Sequence, residues 1–193
     1  MTHAAAHHTS TGLDTRKIAF WTFIGSECLL FGSLISTYLV YQGKSLTGPT
    51  PHEILNIPLT SVSTFVLLMS SLAMVLALAA VTRGDSTWSR IWLLSTALLG
   101  LVFLGFQVYE FTSFVHEGLT LQTNLFGSTF FVLTGTHGAH VAVGVLWLLT
   151  LLVRSLQGKL GPEKAMNVEL AGLYWHFVDV VWIVIFTVVY LLQ

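Results

Sequence analysis

Five long apolar runs constrain this chain more than any other feature: residues 18–41, 59–82, 91–115, 125–153 and 170–192. Together they hold 125 of the 193 residues but only three of the 17 charges, Glu27, Glu110 and Asp179. A helix needs about 20 mainly apolar residues to cross a bilayer, so each run is long enough to span, and the 29-residue run must tilt or protrude. Only 9% of the residues are charged, against roughly 25% in a soluble domain. An ordinary soluble fold is excluded, and with a formal net charge of -1 nothing suggests nucleic-acid binding or a polybasic surface segment.

The basic residues set an orientation. Arg16 and Lys17, then Arg83 and Arg90, then Arg154, Lys159 and Lys164 fall on one side of a five-crossing topology, and Lys44 alone on the other. Cytoplasmic flanks are enriched in Lys and Arg. The expected fold is therefore an all-α membrane protein, a bundle of five transmembrane helices with the N-terminus cytoplasmic and the C-terminus outside. Residues 1–17 read as a flexible tail before a membrane domain over 18–193. The first apolar run is longer than the central segment of a signal peptide, and no small-residue cleavage site follows it.

Lipid provides no hydrophobic drive between helices, so close approach needs small residues. Ala73 with Ala77, Gly135 with Ala139, Gly138 with Ala142, and Gly25 with Gly32 are the expected packing pairs. Small hydroxyls, among them Ser63, Thr64, Ser70 and Ser71, crowd the second run. Trp21, Trp88, Trp92, Tyr38, Tyr41 and Tyr190 near run ends read as interfacial anchors. Trp147, Trp175 and Trp182 read as packing residues. The single cysteine, Cys28, reads as a small apolar core residue.

Ionisable residues inside a membrane are candidate functional groups, because burying one at the bilayer centre costs about 2.5–3.5 kcal/mol even on permissive scales. Glu27, tenth in the first run, is either a proton-handling carboxyl or an acid hydrogen-bonded to a neighbouring helix. His137 and His140, three apart, share a helix face. Two ligands do not make a metal site, and neither a cysteine nor a second histidine pair completes one. His176 and Asp179, also three apart, read as a local polar pair, either an interhelical clamp or half of a proton relay. Glu110 falls near the outer end of the third run, where water is close. No catalytic residue and no metal ligand is assigned.

Two segments carry a resemblance. Gly127-Ser128-Thr129-Phe130-Phe131-Val132 with Thr134-Gly135 and His137-Gly138-Ala139-His140-Val141, followed by Tyr174-Trp175-His176-Phe177-Val178-Asp179-Val180-Val181-Trp182, is similar to the signature of subunit III of the haem–copper terminal oxidases. Gly25-Ser26-Glu27 and the pair Gln107, Glu110 resemble two further family positions. The resemblance covers about residues 17–193. It implies a non-redox accessory subunit of an aerobic cytochrome c oxidase, a proton-pumping oxidoreductase. Such a chain packs on catalytic subunit I, beside subunit II and other small subunits, and supports stability and proton uptake.

Haem and copper are then expected in the partners, with none bound directly by this chain, and structural phospholipid is expected against it. Glu27 would match the family's buried, carbodiimide-sensitive glutamate. Glu110, His137, His140, His176 and Asp179 would match positions of lipid or interhelical polar contact. The mitochondrial form has seven helices and this chain resembles the last five, which points to a multi-pass protein of a prokaryotic plasma (inner) membrane. The equivalent subunit of a quinol oxidase is the alternative. A small proton-coupled transporter is a third reading, for which pseudo-symmetry or interrupted helices would be expected.

Overall fold

The structure, a computed structural model, describes residues 14–45, 48, 49 and 51–192, apart from the side chains of residues 52 and 53. Its elements are α1 (Thr15–Tyr41), the single turn α2 (Pro51–Ile54), α3 (Ile57–Thr82), α4 (Ser86–His116), α5 (Leu125–Leu156), a short 3-10 turn (Pro162–Lys164) and α6 (Ala165–Phe186), which runs into a π-helical turn (Thr187–Leu191). Five helices are long and apolar enough to cross a membrane. The expected tail over 1–17 lies outside the described residues as far as residue 13. Asp14 caps α1, and residues 15–17 are its first turn.

The helices outrun the apolar runs, because their starts are fixed by polar side chains in the flanks. Asp14, Asn56, Asp85 and Asn124 each turn a side-chain oxygen onto a backbone N–H of the first turn. This satisfies donors that have no partner within the helix. Asp85 accepts from both Thr87 and Trp88, so α4 begins five residues before the apolar run at 91. At the other end, α3 and α4 close on Gly84 and Gly118, at φ 77° and 88°. Each hands its N–H back into the last turn, and the residue after it reaches one position further. That paired closure needs the left-handed backbone glycine tolerates.

α3 packs along α4, α4 along α5, and α6 fills the space between α3 and α5, while α1 leans chiefly on α5 and α6. α1 buries only Ile24, Phe31 and Tyr38, one residue every two turns. Three polar ties hold it at three levels. Lys17 pairs with Glu169 at 2.7 Å, Glu27 meets His140 in the middle, and Gln42 donates to the Leu192 carbonyl at 2.8 Å.

Trp175 of α6 is the central packing residue. Its ring edge lies where a side chain on either Gly100 of α4 or Gly144 of α5 would have to go, and its indole N–H donates to Ser70 of α3 at 2.9 Å. One side chain thus joins four helices. Ala73, Ala77 and Gly138 are buried at helix contacts as expected, Gly138 directly beneath Gln107. The other expected pairs differ. Gly25 and Gly32 have open space around them, and Ala139 faces outward. Cys28 is exposed on α1, not in the core. Tyr38 and Tyr190, expected at the membrane interface, are both 1% exposed.

The candidate polar site inside the bundle

The mid-bundle polar residues arise where helical spacing turns a long side chain toward a neighbouring helix. Glu27 lies on the same side of α1 as Ile24 and Phe31, three residues before and four after it. That side faces α5, and Glu27 Oε2 comes within 3.1 Å of His140 Nε2. Their side chains are 15% and 20% exposed. His140 is fixed from two further directions. Its Nδ1 is 2.8 Å from the Thr136 carbonyl, and the Tyr174 hydroxyl donates to the His140 carbonyl at 3.0 Å. Phe31 packs edge-on against the ring at 5.0 Å.

This geometry dictates the proton count. A carbonyl oxygen only accepts, so Nδ1 carries a hydrogen, and Nε2 faces the carboxyl either as an acceptor or as a second N–H. In the first case Glu27 supplies the proton, and in the second the imidazolium does. Either way one proton sits between the two groups. The pair opens onto a groove of about 350 Å³ lined by Phe23, Ala139, Val143, Trp147 and Tyr174.

His137 is three residues away on α5 but serves another contact. Its Nε2 donates to the Val178 carbonyl of α6 at 3.1 Å, and the ring is wedged between Phe103 and Trp182, with centroids at 5.8 and 4.8 Å. It is fully buried. The two histidines therefore diverge, one toward α6 and one toward α1.

His176 and Asp179 do not pair with each other; among the described residues no ion pair joins them. His176 turns to α3, where Ser71 Oγ lies 2.6 Å from its Nδ1. Helical neighbours three apart point up to 60° away from one another around the axis, and Asp179 is buried with its Oδ1 unpartnered among the described residues.

Glu110 is the other correction. Rather than meeting water at a helix end, it is 7% exposed and bonded by Thr60 of α3 at 2.8 Å and by Tyr190 in the π-helical turn. One turn earlier, Gln107 donates to the Thr134 carbonyl of α5 at 2.7 Å. Trp182 donates to Thr64 at 2.9 Å. These indole-to-hydroxyl bonds escaped sequence reasoning, although buried indoles seek acceptors and the hydroxyl-rich second run offered them.

Among the described residues no three His, Cys, Asp or Glu side chains converge as metal ligands. What the polar groups do is tie helices together: α1 to α5 through Glu27, α5 to α6 through His137, α3 to α6 through Ser71, and α3 to α4 through Glu110.

The sequence is similar to known proteins. The family model described as cytochrome c oxidase subunit III matches residues 2–193. Cytochrome c oxidase subunit 3 of Bacillus sp. (strain PS3) is 45% identical, over 99% of this chain and 93% of the relative. The probable quinol oxidase subunit 3 of Staphylococcus saprophyticus is 42% identical over 96% of both chains. Quinol oxidase subunit 3 of Bacillus subtilis is 41% identical, over 91% of this chain and 86% of the relative. The chain belongs to the cytochrome c oxidase subunit III family.

Proposed function

We propose that this chain is the non-redox accessory subunit of a bacterial haem–copper oxidase, seated against the catalytic subunit I with subunit II and other small subunits nearby. The observation that carries this reading is the family match across the whole chain. Haem and copper are assigned to the companion subunits. Relatives named for cytochrome c and for quinol oxidases are similarly close, so the choice of electron donor is assigned to other subunits.

Within the complex, the role given to this chain is support of stability and proton uptake, with Glu27 and His140 as its proton-holding pair. The groove beside them, walled by Phe23, Val143 and Trp147, has an apolar lining suited to a phospholipid acyl chain. The N-terminus is placed in the cytoplasm. In support, the Lys17–Glu169 pair and the bond from Arg90 to the Ser155 carbonyl gather the start of α1, the start of α4, the end of α5 and the start of α6 at one end. Seven of the eight basic residues belong to that end, as expected of a cytoplasmic face.

Isolation in mild detergent tests the reading. The chain should co-purify with a haem- and copper-bearing partner and show no haem absorbance once separated. A stable free chain carrying its own haem would overturn it.

A further inference from the structure

The contact between Ser71 and His176 leaves one ring atom that the bundle does not use. Nδ1 of His176 is taken by Ser71, while Nε2 has no partner among the described residues and the residue is only part-buried. Its position makes this unusual. His176 is the fifteenth of the 30 residues from Pro162 to Leu191, and Ser71 the fifteenth of the 26 in α3, so both stand at mid-membrane depth. The residues around Nε2 point outward too. Leu68 and Val75 flank Ser71 on α3 at 40% and 50% exposure, and Val180 and Ile183 follow His176 on the same face of α6 at 58% and 41%.

An imidazole nitrogen turned out of the bundle at that level faces hydrocarbon unless something polar meets it. Acyl chains offer no donor or acceptor, and head groups lie about 15 Å away at the edges of a 30 Å core. Intramembrane polar groups almost always face a protein partner or a water-filled cavity.

We propose that the seam between α3 and α6 is the docking face for a transmembrane helix of a companion oxidase subunit, which presents a hydrogen-bonding side chain to Nε2 of His176 at mid-membrane. This rests on the reading that the chain works inside an oxidase complex. The partner's side chain meets the free end of an imidazole whose other nitrogen is held by Ser71. The orientation of the Ser71 hydroxyl decides whether Nε2 offers a lone pair or an N–H, so the partner group sets the direction of the Ser71–His176 bond.

The test places a photo-crosslinking amino acid at Val180 in the full chain, with the same probe at Leu29 on α1 and Val108 on α4 for comparison, and irradiates intact membranes. An adduct between the Val180 probe and a companion subunit is the expected result. Lipid adducts alone at Val180, with subunit adducts at Leu29 or Val108, would overturn the docking face while leaving membership of the complex intact. An adduct to a second copy of this chain would overturn it as well. A chain that yields no subunit adduct anywhere and purifies without a haem-bearing partner would sink the underlying reading. In the purified complex, His176→Leu should lower the fraction of chain retained through a detergent wash by about tenfold, the worth of one buried hydrogen bond. His176→Gln should largely restore it. Equal loss in both variants, or none in either, would count against the proposal.

Discussion

Adding one methyl group at Gly144 should damage this bundle more than most larger changes on its surface. A Cβ there would lie 2.8 and 2.9 Å from Cζ3 and Cε3 of Trp175 and 3.2 Å from Cε1 of Tyr174. Carbon atoms rest at about 3.5–4.0 Å, so the indole must retreat by about 0.7 Å. It has nowhere to go. The adjoining side of the same ring is pressed against Gly100, where a Cβ would stand 2.6 Å from Cη2, and its N–H is held by Ser70 at 2.9 Å. Overpacking of this kind costs about 1–3 kcal/mol, and stretching the indole bond adds about 1 kcal/mol. The expected loss for Gly144→Ala is therefore about 2–4 kcal/mol, with a similar figure for Gly100→Ala.

Because both changes push the same ring, the double variant should lose less than the sum of the two. Gly25→Ala and Gly105→Ala, with nothing within 4 Å of the new Cβ, serve as controls and should stay within about 0.5 kcal/mol of the parent. Denaturing-detergent titration of the purified protein, followed by tryptophan fluorescence, reads all five. A Gly144→Ala midpoint equal to that of Gly105→Ala would refute the reasoning.

Three further predictions follow from single contacts. Glu27→Gln can still bond His140 Nε2 through its amide N–H, so assembly should survive while labelling by a hydrophobic carbodiimide disappears; undiminished labelling would place the reactive acid elsewhere. Trp182→Phe removes the bond to Thr64, whose hydroxyl keeps the Thr60 carbonyl at 2.7 Å, so the loss should be about 1 kcal/mol in the same titration, and a neutral result would show the bond is idle. The Asp14 carboxyl accepts from the Arg16 side chain first and from the Arg16 N–H second, which holds it below its ordinary value of 3.8. A carboxyl depressed in the folded state stabilises above its unfolded pKa and stops doing so as pH falls through the folded value. The first turn of α1 should therefore keep its cap past pH 3.8 and lose it only below. The ratio of amide exchange between the parent and Asp14→Asn should then change with pH in that lower window, and a ratio constant with pH would contradict the cap.

The five helices were legible because the information lies in long stretches: 125 residues holding only three of the 17 charges leave little choice of architecture. Which side chains meet was less so, because a linear pattern does not say which way a helix is rotated. His176 and Asp179 read as a pair by spacing, yet His176 turns instead to a hydroxyl on another helix. Gly135 with Ala139 has the spacing of a contact, but Ala139 faces outward. Gly100 and Gly144, which do make the tight contact, have no such spacing, since the partner that fits them is a ring from a third helix. Glu110 looked water-exposed from its place near a run's end; Thr60 of α3 meets it there and the π-helical turn folds Tyr190 over it. Helix starts were missed because Asp and Asn in short polar loops read simply as loop residues.

The sparse fastening of α1 has a consequence for how the molecule is made. Glu27 and its partner His140 are 113 residues apart in sequence, and the ribosome adds about 5–20 residues each second. Glu27 is therefore in the chain about 6–23 s before its partner imidazole has been synthesised. Throughout that interval the carboxyl goes without that partner, and α1 cannot lock until α5, the fourth of the spanning helices, follows. The first part of the protein to be born is the last to find its place, so defects in α5 should surface as failures of α1.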